Sequence, residues 1–126
     1  MIKFIRTRLH SMKYAVEGWW YLITTQKNTW VHAVVSIIVI TMGFWFRLST
    51  GDWAIIILTI AFVWVVEAIN TALEVLTDLL SPEYNQLAKV SKDVSAAAVL
   101  IAAAASVLIG FLVLGPPLLI KIRLYY

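Results

Sequence analysis

A chain of 126 residues has room for one domain, so any catalytic site must be built from that domain or from copies of it, with no separate nucleotide-binding module. Hydrophobic residues make up 62% and charged residues 13%, against roughly half and about a quarter in soluble domains; an ordinary soluble fold is excluded and an integral membrane protein indicated. Net charge is +3, and the chain has no cysteine, so a disulfide framework and thiolate chemistry are excluded too.

Five of the ten basic residues (Lys3, Arg6, Arg8, Lys13, Lys27) precede the first long apolar run. That bias suits an anionic bilayer surface, and no nucleic-acid partner is expected from it. Within residues 2–25, Ile5, Leu9, Met12, Val16, Trp19, Trp20 and Ile23 recur at steps of three and four, while Lys3, Arg6, His10, Lys13 and Glu17 fall roughly opposite. The pattern predicts an amphipathic helix lying in the headgroup plane, assigned to 1–28. No small-residue cleavage pattern follows the first apolar run, so no cleavable signal peptide is expected.

From Trp30 to Phe46 the one ionisable residue is His32, and seventeen residues rise about 25 Å, enough to span if the ends snorkel. A first membrane helix is predicted at 30–47. Leu48-Ser49-Thr50-Gly51-Asp52 supplies a hairpin turn. The second helix, 53–80, opens with fourteen uncharged residues and then carries Glu67, Asn70, Glu74 and Asp78. Pro82 ends it, and 83–93 forms a polar connection with room for some helix. The third span, 93–115, has an uncharged stretch from Val94 to Leu114 and is expected to stop at Gly115-Pro116-Pro117. Its alanines, Ala96 to Ala98 and Ala102 to Ala105, allow close backbone approach in an oligomer. The distribution of positive charge places the amino terminus and the 81–93 connection in the cytoplasm.

Five of the seven acidic residues lie between positions 67 and 93. On a helix, Glu67, Asn70, Glu74 and Asp78 are offset by three, seven and eleven positions and share one stripe. A carboxylate near hydrocarbon costs several kcal/mol unless it meets a cation, metal or water. Two readings stay open at this point. Either Glu74 and Asp78 are solvated beyond the headgroups and Glu67 pairs with a lysine, or the stripe holds a divalent metal through hard oxygen ligands, with phosphates and water completing its shell.

Glu67-Ala68-Ile69-Asn70-Thr71-Ala72-Leu73-Glu74, followed by Asp78, Glu83-Tyr84, Lys92-Asp93 and Ala97-Ala98-Val99-Leu100-Ile101, resembles the prokaryotic diacylglycerol kinase and undecaprenol kinase family over almost the whole chain. The resemblance implies an all-α homotrimeric bundle in the bacterial cytoplasmic (inner) membrane, with its active site on the cytoplasmic side. It implies transfer of the γ-phosphoryl group of ATP, with Mg2+, to a membrane lipid alcohol. Diacylglycerol is the first acceptor expected and undecaprenol the alternative.

By the same resemblance, Glu67 is the general base at the lipid hydroxyl, and Asn70 helps hold that arrangement. Glu74 binds metal and nucleotide, while Lys92 contacts the phosphates and Asp93 sits beside it at the nucleotide. Glu83, Tyr84, Asn85 and Tyr14 approach the nucleotide, and Ala96 contacts substrate. In well-known members a second metal carboxylate precedes the first span; here Gln26 holds that place, and its amide oxygen can still coordinate magnesium with one less negative charge.

Other residues have structural readings. His32, at the start of a span, is placed to touch substrate, but an interfacial histidine in a hydrogen bond is the preferred reading, with nothing at metal-ligand spacing. Trp19, Trp20, Trp30, Trp45 and Trp53 fit an aromatic belt. Lys92-Asp93 alone reads as a surface ion pair. A non-catalytic scaffold or ion-conducting protein is the rival class, since intramembrane acids also serve ion passage.

Overall fold

The computed structural model describes residues 1–125, except for the side chains of 2–7, 9, 124 and 125. It is all-helical: α1 Ile2–Thr25, α2 Lys27–Phe46, α3 Thr50–Leu80 and α4 Gln86–Tyr125. Three of these, α2, α3 and α4, are long and apolar enough to cross a membrane. Large apolar side chains such as Leu58, Leu108 and Phe111 remain exposed along them, a distribution that makes physical sense in lipid and not in water.

A single extended residue, Gln26 (φ −97°, ψ 116°), separates α1 from α2. Leu22 is buried at this bend, and the buried Thr29 hydroxyl donates to the Leu22 carbonyl at 3.3 Å. Burial does not mark out the apolar stripe expected on α1, because Met12 and Val16 are as open as Lys13 and Glu17. The side chains of Lys3, Ile5, Arg6 and Leu9 lie outside the described residues.

The α2–α3 hairpin is fixed by local chemistry at both ends. Arg47 takes the left-handed conformation (φ 54°, ψ 53°), and the Leu48 N–H returns to the Gly43 carbonyl at 3.1 Å, so the carbonyls at the end of α2 are satisfied. Ser49 then caps α3. Its Oγ accepts from the Asp52 N–H at 3.2 Å and donates to the Asp52 carboxylate at 2.7 Å, a reciprocal cap that also puts an acid at the positive end of the helix. Gly43 admits the Trp53 ring of α3: a Cβ there would lie 2.8 Å from the indole.

α3 and α4 form the main pair, with Ile56, Val63, Val99, Ala102 and Leu114 buried. Small residues on α4 permit this approach, as lipid offers no hydrophobic drive between helices. α4 departs from expectation at both ends. It begins at Gln86, inside the segment expected to be a polar connection, and it does not stop at Gly115-Pro116-Pro117 but runs on to Tyr125. Forty residues make about 60 Å of helix, longer than a bilayer core is thick. Gly115 carries no Cβ to clash with the ring that follows it, and the last turns are tied to α2 by Lys121, whose Nζ reaches the Trp45 carbonyl at 3.3 Å and sits 4.4 Å from the Trp45 ring.

Candidate active site

The polar stripe of α3 forms a gradient from the interior of the bundle to its edge. Glu67 and Asn70 are buried, Glu74 is half-buried and Asp78 is exposed. One helical face therefore carries a carboxylate inside the bundle and two more, progressively more exposed, toward the end of α3.

Glu67 is only 1% exposed and faces His32 of α2, with 3.7 Å between Oε2 and the imidazole Nε2. The reading in which Glu67 pairs with a lysine is therefore corrected: its neighbour is a histidine. Among the described residues, neither of these two atoms has a hydrogen-bond partner, and nor does the buried Oδ1 of Asn70. Three unpaired buried polar atoms in one place are costly, and a ligand group that bonds to them removes the cost.

The backbones behind them are fixed. The Thr71 hydroxyl donates to the Glu67 carbonyl at 3.0 Å. The Ser36 hydroxyl donates to the His32 carbonyl at 2.7 Å and accepts the Trp64 indole N–H of α3 at 3.3 Å. Trp64 in turn packs on Trp19 of α1, ring centroids 4.7 Å apart. The helices that carry His32 and Glu67 are thus pinned together one turn beyond His32.

Two cavities meet at this point. A cavity of about 250 Å³ is lined by Asn28, His32, Asn70, Ala96, Leu100 and Ala103 among others. On the other side of His32 an apolar groove of about 290 Å³ runs between the spanning helices past Val39, Ile56 and Phe111 to Leu118. Ala96, expected at the substrate, does line the first cavity, together with Asn70.

At the boundary, Lys92 of α4 holds Asp78 through contacts of 2.9 and 3.2 Å to the two carboxylate oxygens. Lys92 precedes the uncharged stretch of α4. The supposed Lys92–Asp93 surface pair does not form. Asp93 pairs one turn back with Lys89, at 2.7 Å, because adjacent residues on a helix point apart while i,i+4 residues meet.

Among the described residues, no group of three or more histidine and acidic side chains is preassembled for a metal. Magnesium does not require one: it is bound through one or two carboxylates, with phosphates and water completing the octahedron. Glu74 fits, since it is a half-buried carboxylate that accepts no hydrogen bond from the described residues and lies near enough to Lys92 to act on its charge. Gln26, half-buried at the α1–α2 bend, has an oxygen of the right hardness.

The remaining expected residues are not gathered here. Tyr14 is exposed on α1 beside His10, ring centroids 6.3 Å apart. Glu83 and Tyr84 are exposed between α3 and α4. Asn85 caps α4, its Oδ1 accepting from the N–H groups of Leu87 and Ala88 at 2.8 and 3.3 Å. Sequence reasoning weighed His32 as a substrate contact but preferred a structural role for it. Its partner lies on another helix 35 positions away, beyond the reach of any local spacing rule.

A family model described as prokaryotic diacylglycerol kinase matches residues 13–114. A protein named diacylglycerol kinase from Synechocystis is 41% identical over 112 residues, 88% of this chain and 64% of the relative, so the chain spans about 64% of that relative's length. A protein named undecaprenol kinase from Bacillus subtilis is 37% identical over 108 residues, 86% of this chain and 88% of the relative.

Proposed function

The chain belongs to the prokaryotic diacylglycerol kinase family, and from that premise we propose that it transfers the γ-phosphoryl group of ATP to the hydroxyl of a membrane lipid at the cytoplasmic face of the bacterial inner membrane. The observation that carries this reading is the buried Glu67, beside His32 and Asn70, on the same helical face that brings Glu74 and Asp78 to the membrane boundary. The interior end of that face provides a carboxylate to draw the acceptor's proton, and the boundary end provides charge for a nucleotide.

Phosphoryl transfer asks a protein chiefly for positioning and charge neutralisation, so a few polar groups on three spanning helices suffice. Glu74, with Gln26, would hold magnesium, which when bound with the nucleotide neutralises charge on the β- and γ-phosphates. Lys92 would exchange Asp78 for a phosphate oxygen, acting as a point charge. Asn70 orients the acceptor, Ala96 forms the wall beside it, and Asp93, Glu83, Tyr84, Asn85 and Tyr14 flank the nucleotide. The family's homotrimer would cover apolar faces that one copy leaves open, and α1 would lie along the headgroups.

Diacylglycerol is the acceptor we propose first, giving phosphatidic acid. Undecaprenol is the second reading, favoured by the match to most of the length of a relative that bears that name. Purified protein in vesicles, supplied with magnesium-ATP and each lipid alcohol in turn, tests both through transfer of labelled γ-phosphate. Labelled phosphatidic acid supports the first and labelled undecaprenyl phosphate the second. No transfer to either acceptor would favour a scaffold.

A further inference from the structure

We infer that the end of the bundle remote from the acid stripe holds the phosphate of an anionic phospholipid between Lys121 of α4 and Arg47 of the α2–α3 turn. The inference goes beyond the kinase reading and does not depend on which lipid accepts a phosphoryl group.

α4 carries no charge from Val94 to Ile120. Those 27 residues rise about 40 Å, more than the roughly 30 Å of a hydrocarbon core and close to the thickness of a bilayer with its headgroups. With Lys92 and Asp93 in one headgroup layer, Lys121 reaches the other. The α2–α3 turn arrives at the same level. The Lys121 Nζ lies 3.3 Å from the Trp45 carbonyl, 4.4 Å from the centre of the Trp45 ring and 5.8 Å from that of Phe46. Arg47 follows directly, its left-handed backbone (φ 54°) ending α2 there.

These two cations lack the partners that other lysines find. Lys13, Lys89 and Lys92 stand 3.7, 2.7 and 2.9 Å from a carboxylate oxygen. Among the described residues, no carboxylate pairs with Arg47 or Lys121. The acid nearest to Arg47 in sequence, Asp52, is taken by Ser49, whose hydroxyl donates to it at 2.7 Å. The Lys121 ammonium gives one N–H to the Trp45 carbonyl and keeps the others free, and the planar fork of Arg47 suits phosphate oxygens.

Topology does not account for the pair. Basic residues at this end oppose the bias set by those that precede the first span, so they serve something other than orientation. Their surroundings select a lipid over a soluble anion. Phe44, Trp45, Leu119 and Ile120 are largely exposed beside them in the chain, an apolar margin that acyl chains cover while the headgroup meets the charges. A headgroup of net negative charge fits, whereas a zwitterionic one brings its own cation to two others. Arg123 is the internal control: it is exposed, and two positions beyond Lys121 it leaves α4 on a different side.

The test titrates the full chain in detergent with phosphatidylglycerol, phosphatidylcholine or inorganic phosphate and reads the bound species from the mass of the intact complex. Expected is one phosphatidylglycerol per chain held about thirtyfold more tightly than phosphatidylcholine, the worth of two basic side chains at an anionic surface. Arg47→Gln and Lys121→Gln should each remove about fivefold of that preference and the double variant all of it, with Arg123→Gln within about twofold of wild type. Equal retention of the two lipids overturns the inference. So does an Arg123→Gln protein weakened as much as the other two, which would show a diffuse field instead of a site. Inorganic phosphate bound as tightly as phosphatidylglycerol would make the site one for a free anion and overturns the lipid assignment. Should Lys121→Gln lose its thermal transition with the Trp45 contact, Arg47→Gln decides alone, because the Arg47 side chain has no ion pair among the described residues to lose.

Discussion

Lys92 of α4 and Asp78 of α3 are joined across the Pro82 bend, with the ammonium 2.9 and 3.2 Å from the two carboxylate oxygens. Asp78 is exposed and Lys92 half-buried, so the pair is more a resting position for Lys92 than a brace for the fold. A triphosphate that takes up Lys92 must displace Asp78. Asp78→Asn is therefore expected to lower the KM for ATP a few-fold, and Lys92→Ala to raise it about tenfold or more, with little change in thermal midpoint for either. Steady-state kinetics across ATP concentrations check both directions. A higher KM in Asp78→Asn would mean that Asp78 positions Lys92 for the nucleotide instead of competing with it.

Glu67→Gln should remove about 100-fold or more of the turnover while leaving the helices and the melting transition in place. Glutamine fills the same volume and removes a charge that has no hydrogen-bond partner on Oε2, so stability is expected to hold or rise. Circular dichroism on the protein used for the assay separates lost chemistry from lost fold. Normal turnover in Glu67→Gln would take the carboxylate out of the reaction.

Glu74 and Gln26 make opposite predictions for magnesium. Glu74→Ala deletes a half-buried carboxylate that accepts no hydrogen bond from the described residues, and should shift half-activation to higher magnesium. Gln26→Glu adds a charge at the α1–α2 bend and should lower the requirement or leave it unchanged. Magnesium titrations at fixed ATP measure both. A Gln26→Glu protein that needs more magnesium would place the metal elsewhere.

The sequence signals that survived into the structure were those that act within one helix or one turn. The uncharged runs predicted helices at 30–47 and 53–80, and α2 and α3 occupy Lys27–Phe46 and Thr50–Leu80. Helical period put Glu67, Asn70, Glu74 and Asp78 on one stripe, and they descend from the interior to the boundary in that order.

What stayed hidden depended on contacts between helices. Pro116-Pro117 is a stop signal locally, yet α4 continues to Tyr125, and Lys121 in its last turns reaches Trp45, 76 positions earlier in the chain. Lys92 and Asp93 looked like a pair as neighbours in sequence, but the helix turns them apart toward Asp78 and Lys89. His32 read as a single interfacial histidine because nothing near it in sequence is acidic, and only the packing of α2 on α3 brings Glu67 opposite.

That same packing depends on Gly43, which makes the hairpin a test of the scaffold separate from the chemistry. A methyl group at position 43 would stand 2.8 Å from Trp53 Cη2, 3.0 Å from Cζ2 and 3.2 Å from Leu48 Cδ1. The indole also packs on Phe44, ring centroids 4.8 Å apart, so it cannot move without giving up that contact. Gly43→Ala should therefore destabilise the protein by about 1–3 kcal/mol, the usual cost of overpacking, and lower its thermal midpoint in detergent. Trp53→Leu in the Gly43→Ala background removes the ring that the methyl meets and should recover part of the loss. A Gly43→Ala protein that melts like wild type would show that α2 and α3 can separate at this end without strain, and that the register of His32 against Glu67 is set instead by Ser36 and Trp64.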